Sequence, residues 1–325
     1  MKQRIFTLRQ IIETGTARLK EAGIEEAALD AWYLLEYCTG ISRAAYYGEP
    51  NRVLEEDLAK RYIECTEKRG SRIPLQHITG EQEFMGYSFY VNEHVLIPRQ
   101  DTETLVEEAV KLLRAIREAA EEEAHEVCGA ADGHQKAVCE EAPAVRVLDM
   151  CTGSGCILLS LMKLCPGIEG VGCDISGEAL EVAVRNAARL GVCAGWVQSD
   201  LFEGVPFKRR LCESEDSAKG RTGYDLIVSN PPYIRTAEIE TLQEEVRLHD
   251  PRIALDGRED GLYFYRRIIE DSVLYIKNGG NLLFEIGCDQ GKDVTELMQE
   301  CGYENVTIKK DLSGLDRVVA GVYNR

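Results

Sequence analysis

Apolar residues recur at the three- and four-residue spacing of a helix over about the first 70 positions of the chain. The spacing predicts three helices, marked by the sets Leu8, Ile11, Ile12; Ala28, Trp32, Leu35; and the stretch 54–68. Residues 23–26 separate the first two helices, and Thr39-Gly40 ends the second. The pattern predicts a small helical bundle, most simply a partner-binding or lid module.

The pattern changes to aromatic and β-branched residues in the next thirty or so positions, as at Phe84, Phe89 and Val91. This change predicts a hairpin that connects two domains, followed by a helix from about Thr102 to Ala119. Residues 118–141 then hold eight acidic side chains and one lysine. We interpret the segment 118–144 as a solvated helix end and flexible insertion rather than an acidic binding tail.

Short apolar runs alternate with helical patterns from Val145 onward, which is typical of an α/β domain. The runs predict strands at 145–150, 168–175, 196–200, 224–230 and 280–287, with helices ending near 165, 190 and 276. The charged stretch 208–223 is interpreted as a loop insertion. Right-handed crossovers place the carboxyl ends of parallel strands at one edge of the sheet, where ligands bind.

Composition narrows the functional classes. The 325 residues include 38 Lys+Arg and 56 Asp+Glu, so the net charge is −18. A chain with this charge is poorly suited to neutralise phosphate groups, which disfavours nucleic-acid binding. No apolar run is long enough to span a bilayer, and the first residues lack a signal-peptide pattern. The 12 cysteines form no CxxC pair. We therefore expect a cytoplasmic protein with free thiols and no metal site.

The turn after the first strand of the α/β region is Cys151-Thr152-Gly153-Ser154-Gly155. Its two glycines allow the backbone to approach a ligand closely at a helix N-terminus. Two glycines at this spacing fit a tight strand-to-helix turn as well as a nucleotide loop. The spacing matches neither a dinucleotide fingerprint nor a phosphate-binding loop.

Three acidic residues, Asp149, Asp174 and Asp200, stand at or near the ends of successive predicted strands. The second can accept hydrogen bonds from ribose hydroxyls, and the third from an adenine amino group. Each acid alone is explained equally by a helix N-cap or a turn. Together they favour a ligand with an amine and a ribose, and we predict S-adenosylmethionine as the methyl donor.

The fourth strand ends in Asn230-Pro231-Pro232-Tyr233. The prolines fix the backbone, so that the Asn230 oxygen, the Pro231 carbonyl and the Tyr233 ring can hold a flat amino group with two hydrogens. Orientation and polarisation then supply most of the catalysis, without a strong base. His249 beside Asp250 resembles a general-base pair, but we interpret it as a turn before Pro251.

These motifs resemble the HemK-type peptide chain release factor glutamine N5-methyltransferase family over nearly the whole chain. The segments that carry the resemblance are AGIEEAALDAWYLL (22–35), PLQHITGEQEF (74–84), VLIPRQDTETLVE (95–107), LDMCTGSGC (148–156), VSNPPYI (228–234) and DPRIALDGREDGL (250–262).

The resemblance implies an α/β fold with a seven-stranded, mostly parallel class I methyltransferase (Rossmann-like) sheet and a small N-terminal helical domain. We expect a release-factor-binding domain at 1–75, a hairpin linker at 76–103 and an S-adenosylmethionine-dependent methyltransferase domain at 104–325. The implied reaction methylates the side-chain amide of the glutamine in the Gly-Gly-Gln motif of class I release factors, which are the expected partners of a monomer.

The resemblance also implies the site residues. Those of the donor site are Cys151, Thr152, Gly153, Ser154, Gly155, Asp174, Asp200, Leu201 and Asn230. Those of the glutamine site are Asn230, Pro231, Pro232 and Tyr233, of which Asn230, Pro231 and Tyr233 are the expected catalytic residues. Arg99 and Glu103 shape the site or form a structural salt bridge.

The chain departs from the family pattern at two positions of the donor site. Cys151 replaces the first glycine of the usual loop, and we expect altered packing without loss of donor binding. Leu201 replaces an aromatic residue of some relatives, which leaves adenine stacking open.

Three alternatives remain open on the sequence. One is a ribosomal protein glutamine methyltransferase, which shares the Asn-Pro-Pro-Tyr segment and the linker. Another is a nucleic acid amino-group methyltransferase, which the net charge disfavours. The third is a donor-binding regulator without catalysis, which the intact Asn230 and Tyr233 disfavour.

Overall fold

The chain was studied as a computed structural model, which describes residues 6–129, 144–208 and 222–324, without side chains for 121–129. These residues form two compact units, each made of several chain segments. The first unit comprises the described residues up to Glu81, Val91–Glu93 and Thr241–Asp250. The second comprises Gln82–Tyr90, His94–Glu240 and Pro251–Arg325. The predicted domain boundaries at 75 and 103 stay predictions.

The described helices, numbered along the chain, are α1 Leu8–Glu21, α2 Ala27–Thr39, α3 Arg43–Gly48, α4 Glu56–Gly70, α5 Leu75–Thr79, α6 Glu103–Gly129, α7 Cys156–Leu164, α8 Gly177–Leu190, α9 Glu244–His249, α10 Arg252–Leu255, α11 Tyr263–Ser272 and α12 Gly291–Glu300. The strands are β1 Glu81–Phe84, β2 Tyr87–Tyr90, β3 Arg146–Met150, β4 Glu169–Asp174, β5 Gly195–Gln198, β6 Tyr224–Ser229, β7 Ile276–Glu285, β8 Tyr303–Lys310 and β9 Asp316–Tyr323.

The first unit contains the three helices that the apolar spacing predicts, α1, α2 and α4. Thr7 and Gln10 form a capping box at the start of α1, and Gly40 ends α2 with φ +68°. Buried side chains from the three helices, such as Ile11, Leu35 and Tyr62, form one core. The short helices α3 and α5 bury no residue, so the sequence has no apolar periodicity that would predict them.

An ion-pair cluster lies in the same unit. The Arg69 Nε is 2.6 Å from the Asp30 Oδ2, and its Nη1 is 3.1 Å from the Glu245 Oε1. The Arg69 and Asp30 side chains are only 10% and 12% exposed. The cluster therefore binds residue 245, far along the chain, to helices α2 and α4.

The predicted helix after the hairpin is longer than the pattern indicated. It runs from Glu103 to Gly129 and so takes in the first part of the acidic run. The rest of the predicted insertion, residues 130–143, lies outside the described residues, as do residues 209–221 of the predicted loop insertion.

Within the described residues, seven strands form one sheet in the order β5-β4-β3-β6-β7-β9-β8. Pairs among β5, β4, β3, β6 and β7 are parallel, whereas β9 is antiparallel to β7 and β8. This confirms the seven-stranded, mostly parallel sheet. The five strands read from apolar runs are all present, although β7 begins at Ile276, where a helix had been predicted.

Successive residues of the central strands enter different cores. Leu148, Ile227 and Phe284 belong to a cluster with α11 and α12, whereas their neighbours Val147 and Val228 belong to a cluster with α6 and α7. Because side chains alternate across a strand, the two clusters lie on the two faces of the sheet. Both faces of the sheet are therefore covered, so a ligand site is expected at the ends of the strands.

Three observations concern the described part of the chain as a whole. No helix there combines the length and hydropathy that crossing a membrane requires. No three His, Cys, Asp or Glu side chains converge there as metal ligands. The nine cysteines whose side chains the structure describes are free thiols, most of them buried, with Cys193 and Cys288 exposed.

Candidate active site

The loop from Cys151 to Gly155 joins the carboxyl end of β3 to the first turn of α7. Three of its residues, Cys151, Gly153 and Gly155, have φ values of +61°, +54° and +77°. Glycine adopts this left-handed conformation without strain, while a residue with a side chain does not. The loop is thus a tight left-handed turn that exposes backbone groups at a helix N-terminus.

The Asp174 carboxylate at the end of β4 fastens this loop. Its Oδ2 accepts a hydrogen bond of 2.8 Å from the Gly153 amide, and its Oδ1 accepts one of 3.0 Å from the Ser176 amide. Burial raises the pKa of Asp174, and these backbone donors act in the opposite direction. Each oxygen keeps a further lone pair, so the carboxylate can also accept from ribose hydroxyls.

Asp149 has a different role from the one its position at a strand end predicted. It is fully buried, and its Oδ2 accepts from the Thr152 hydroxyl at 2.5 Å and from the Leu158 amide at 3.3 Å. It does not line the cavity described below. Asp149 therefore holds the loop against α7 from inside the fold.

Asp200, which follows β5, carries an ion pair that the sequence did not predict. Its Oδ1 lies 3.0 Å from the Arg267 Nη1 of α11. The next residue, Leu201, is buried with φ +52°, so it occupies the same left-handed region as Cys151. Tyr263 and Phe264 of α11 supply aromatic rings to the cavity wall. The aromatic side chain missing at position 201 thus has candidate substitutes on α11.

Asn230 follows the end of β6, and its side chain has a defined orientation. The Asn230 Nδ2 donates to the Thr102 Oγ1 at 3.4 Å. With the amide nitrogen bound in this way, the Asn230 Oδ1 is the end left for a substrate. Among the other residues of the motif, Pro232 lines the cavity, whereas Pro231 is buried and does not.

Tyr233 is held behind the cavity wall. Its hydroxyl donates to the Glu285 Oε1 at 3.4 Å, and its carbonyl accepts from the Gln290 Nε2 at 3.1 Å. Burial raises the pKa of Tyr233, so the phenol stays protonated at neutral pH. Tyr233 does not line the cavity. Its predicted contact with the amide plane stays a prediction.

Two glycines explain why the segment 250–262 accompanies the Asn-Pro-Pro-Tyr motif. A Cβ at Gly257 would lie 2.7 Å from the Tyr233 backbone, and one at Gly261 would lie 2.5 Å from the Tyr233 carbonyl oxygen. Gly261 also has φ +76°. Only glycine lets this segment pack so closely against Tyr233, and the packing fixes the motif in place.

Arg99 and Glu103 have separate roles. Arg99 lines the cavity. The Glu103 Oε1 accepts a hydrogen bond of 2.6 Å from the Met85 amide, and so closes the turn between β1 and β2. His249 lies in α9 of the first unit, where its Nε2 is buried without a hydrogen-bond partner.

A cavity of about 210 Å³ brings most of the predicted site residues together within the second unit. The predicted residues that line it are Cys151, Thr152, Gly153, Ser154, Asp174, Asp200, Leu201, Asn230 and Pro232. Gly155 caps α7 just behind them. The glycine loop and the Asn-Pro-Pro-Tyr motif therefore share one chamber at the carboxyl ends of β3, β4, β5 and β6.

Comparison with known proteins assigns the family. A family model for the PrmC N-terminal domain matches residues 10–80, and one for a methyltransferase domain matches residues 147–214. The release factor glutamine methyltransferase of Geobacter sulfurreducens is 37% identical over 321 residues, which is 98% of this chain and 98% of that protein. The chain belongs to the release factor glutamine methyltransferase family.

Two further similarities accompany this assignment. The release factor glutamine methyltransferase of Caulobacter vibrioides is 37% identical over 98% of this chain and 97% of that protein. The crystal structure of a release factor-specific protein-(glutamine-N5) methyltransferase from Alicyclobacillus acidocaldarius is 27% identical, with a TM-score of 0.37, and covers 73% of this chain and 100% of that one.

The cavity of this family member includes residues that the sequence did not single out. One of them is Thr102, just before α6. Others lie between residues 258 and 267 and are Arg258, Tyr263, Phe264 and Arg267. The only sequence signal for them was that Thr102 and Arg258 lie within stretches that carry the family resemblance. Arg267 and the aromatic residues of α11 belong to an ordinary amphipathic helix, whose pattern gives no sign of a ligand.

Proposed function

We propose that this chain transfers a methyl group from S-adenosylmethionine to the side-chain amide nitrogen of the glutamine in the Gly-Gly-Gln motif of a class I peptide chain release factor. One observation carries the proposal. Asp174 with its glycine loop, and Asn230 of the Asn-Pro-Pro-Tyr motif, line the same cavity. A donor held by the first set would therefore lie beside an amide held by the second. We place the reaction in the cytoplasm, where translation takes place.

The residues present fit S-adenosylmethionine. The Asp174 carboxylate suits ribose hydroxyls, the Cys151–Gly155 backbone suits the amino acid part, and Asp200 and Leu201 we assign to the adenine side. Burial raises the pKa of the Cys151 thiol, so a small neutral group stands at the bend of the loop. When bound, the donor supplies an electrophilic methyl group on a cationic sulfur.

The protein's contribution is orientation of the amide. Its nitrogen lone pair is delocalised into the carbonyl, so the amide is a weak nucleophile. In the proposed complex the Asn230 Oδ1 accepts one amide hydrogen and turns the nitrogen toward the methyl group. The Pro231 carbonyl is the acceptor that the family resemblance implies for the second hydrogen, although Pro231 does not line the cavity. The methyl group would pass to the nitrogen as its bond to sulfur breaks, the sulfur would keep the bonding electron pair, and one amide hydrogen would leave to water as a proton. Tyr233, fixed by Glu285 and Gln290, frames the amide.

The test is a methyl-transfer assay with labelled S-adenosylmethionine. Release factor, ribosomal protein and ribosomal RNA are offered side by side, and the labelled residue is located by peptide mass mapping. We expect label on the Gly-Gly-Gln glutamine, lost in Asn230→Ala and kept in Asn324→Ala. Asn324 is a matched control, since its exposed amide only donates to Glu304 at 2.9 Å.

Other outcomes would change the assignment in distinct ways. Label on the ribosomal protein would keep the amide chemistry and replace the partner. Label on RNA alone would overturn the amide proposal. Donor binding without any transfer would indicate a regulator.

A further inference from the structure

A buried carboxyl group, that of Glu285, stands behind the Asn-Pro-Pro-Tyr motif at the carboxyl end of β7. The residue is 2% exposed, and its Oε2 has no hydrogen-bond partner. Burying a carboxyl oxygen without a hydrogen-bond partner costs free energy, so the presence of such a group needs an explanation. The proposed reaction gives Glu285 no task beyond its contact with Tyr233.

Two hydroxyl groups converge on this carboxyl group. Tyr233 donates to its Oε1 at 3.4 Å, and the Thr102 hydroxyl lies close enough to the same carboxyl group to lower its pKa. Thr102 is itself 2% exposed and accepts from the Asn230 Nδ2 at 3.4 Å. Asn230, Thr102, Glu285 and Tyr233 therefore form one polar cluster, in which Thr102 stands between Asn230 and Glu285.

The direction of these bonds follows from the donors and acceptors available. An ionised carboxylate only accepts, so the Thr102 hydroxyl must donate its single hydrogen to Glu285. The Thr102 oxygen then has only lone pairs to offer Asn230, which must present its NH₂ group. The Asn230 Oδ1 is thereby directed away from Thr102. The acceptor at Glu285 sets which end of the Asn230 amide is free to bind substrate.

We propose that Glu285 is a positioning residue that orients both ends of the Asn-Pro-Pro-Tyr motif, Asn230 through Thr102 and Tyr233 directly. The inference rests on the proposed function, because the orientation matters only if Asn230 binds a substrate amide. Glu285 touches neither substrate nor donor. It acts by fixing the acceptor pattern of the residues that do.

The charged and titratable groups around Glu285 come from several elements. They are Arg317 of β9, Asp101 before α6, Tyr233 after β6, Tyr265 of α11 and Cys156 of α7. Burial raises the pKa of Glu285 to about 7, and hydrogen bonding from Thr102 and the charge of Arg317 oppose the rise. Protonation would weaken Oε1 as an acceptor for both hydroxyls. Methyl transfer should therefore decline on the acid side of neutrality.

The first test is Glu285→Gln, which keeps the shape but adds an NH₂ group. Glutamine can donate to Thr102, which frees the Thr102 hydrogen to bind the Asn230 oxygen and reverses the amide. We expect kcat to fall by about 10- to 100-fold, with the KM for S-adenosylmethionine unchanged. Asp225→Asn is the matched control: this carboxylate pairs with Lys277 at 2.8 Å near the start of β6, the strand whose far end carries Asn230.

Thr102 provides an independent pair of variants. Thr102→Val removes the hydroxyl at nearly constant volume and should lower kcat as much as Glu285→Gln does. Thr102→Ser keeps the hydroxyl and should restore most of it. Because both residues act in one chain, the double variant Glu285→Gln with Thr102→Val should be no slower than the slower single variant.

Two further readouts separate positioning from a structural role. In the ligand-free protein, ¹³C-labelled glutamate should show a carboxyl signal that titrates near neutral pH and is absent in Glu285→Gln. The acid-side fall of kcat in the unmodified protein should be reduced in that variant. A kcat in Glu285→Gln or Thr102→Val equal to that of the unmodified protein would overturn the inference, as would losses that multiply in the double variant. If the unmodified protein methylates no release factor, the proposed function fails instead.

Discussion

The Asp174 carboxylate and the Gly153 amide are joined by a hydrogen bond of 2.8 Å that links the end of β4 to the loop after β3. The same carboxylate accepts from the Ser176 amide. One side chain therefore both shapes the loop and offers lone pairs to the cavity. In the proposed function, donor binding therefore depends most directly on Asp174.

Asp174→Asn should weaken donor binding. An asparagine has one acceptor oxygen, so its NH₂ group would face one of the two backbone amides that Asp174 now satisfies. We expect the Kd for S-adenosylmethionine to rise by about tenfold or more, corresponding to about 1.4 kcal/mol. Isothermal titration calorimetry measures it directly. The exposed Asp293→Asn is the control, and equal affinities in the two variants would contradict the assignment.

The φ of +61° at Cys151 predicts opposite effects for two substitutions. Cys151→Gly removes the backbone strain but frees the unfolded chain, so the free energy of unfolding should stay within about 1 kcal/mol. Cys151→Val places a β-branched residue in the left-handed region and should destabilise the protein by about 2 kcal/mol or more. Denaturant unfolding distinguishes them. The exposed Cys193→Val should change little, and a similar loss there would remove the backbone argument.

The buried Asp149 makes stability depend on pH. Burial raises its pKa from 3.8 to about 7 in the folded chain. Between these values the unfolded state releases a proton that the folded state keeps, so the free energy of unfolding falls as pH rises from about 4 to about 7 and then levels. Asp149→Asn should reduce this fall by up to about 4 kcal/mol. Urea unfolding at several pH values would show it, and an unchanged pH dependence would speak against a raised pKa.

The Arg69 cluster should dominate the stability of the first unit. Arg69→Met leaves the buried Asp30 without its cation and leaves Glu245 paired only with Arg72, which should cost about 3 kcal/mol or more. Arg18→Met is the matched control, because the Arg18 and Glu67 side chains of that ion pair are 45% and 65% exposed. Its expected cost is about 0.5 kcal/mol. Equal losses in thermal unfolding would show that burial of the pair is unimportant.

His249 should be dispensable for the chemistry. The cavity lies in the second unit and His249 does not line it. Methylation of a correctly oriented amide also needs no strong base. His249→Ala should therefore keep kcat within about twofold, while Asn230→Ala abolishes transfer. A loss in His249→Ala as complete as in Asn230→Ala would restore the general-base hypothesis for His249 and Asp250.

Hydrophobic periodicity predicted the helices that bury one face and the strands that are almost wholly buried. Helices α1, α2 and α4 bury one face each, and β3 and β6 are almost wholly buried, so their patterns are strong. Strand β8 exposes most of its residues, and its sequence YENVTIKK alternates too weakly to be distinguished from a loop. Its place in the sheet followed only from the family resemblance.

The part of the cavity that we propose for the donor left a signal in the sequence, because backbone geometry demands particular residues there. Glycines at positive φ and acids at strand ends leave a local mark in the sequence. The network behind Asn230 leaves none, since Thr102 precedes α6 and Glu285 ends β7, and the two come together only when α6 packs against the sheet. Contacts of that kind follow from the sheet order, which no local pattern contains.

The composition of the first unit has a consequence for how such a protein can be cut or recombined. The chain leaves the second unit after Glu240, contributes ten residues to the first, and returns at Pro251. Those ten residues supply Glu245 to Arg69. A fragment ending near residue 81 would contain Arg69 and Asp30 but not Glu245. The rest of the chain would keep residues 241–250 without the helices of the unit to which they belong. The helical unit is therefore not a single exchangeable segment: exchanging it between relatives would require replacing stretches that lie far apart in the gene, and selection should keep the segments up to Glu81 and Thr241–Asp250 together.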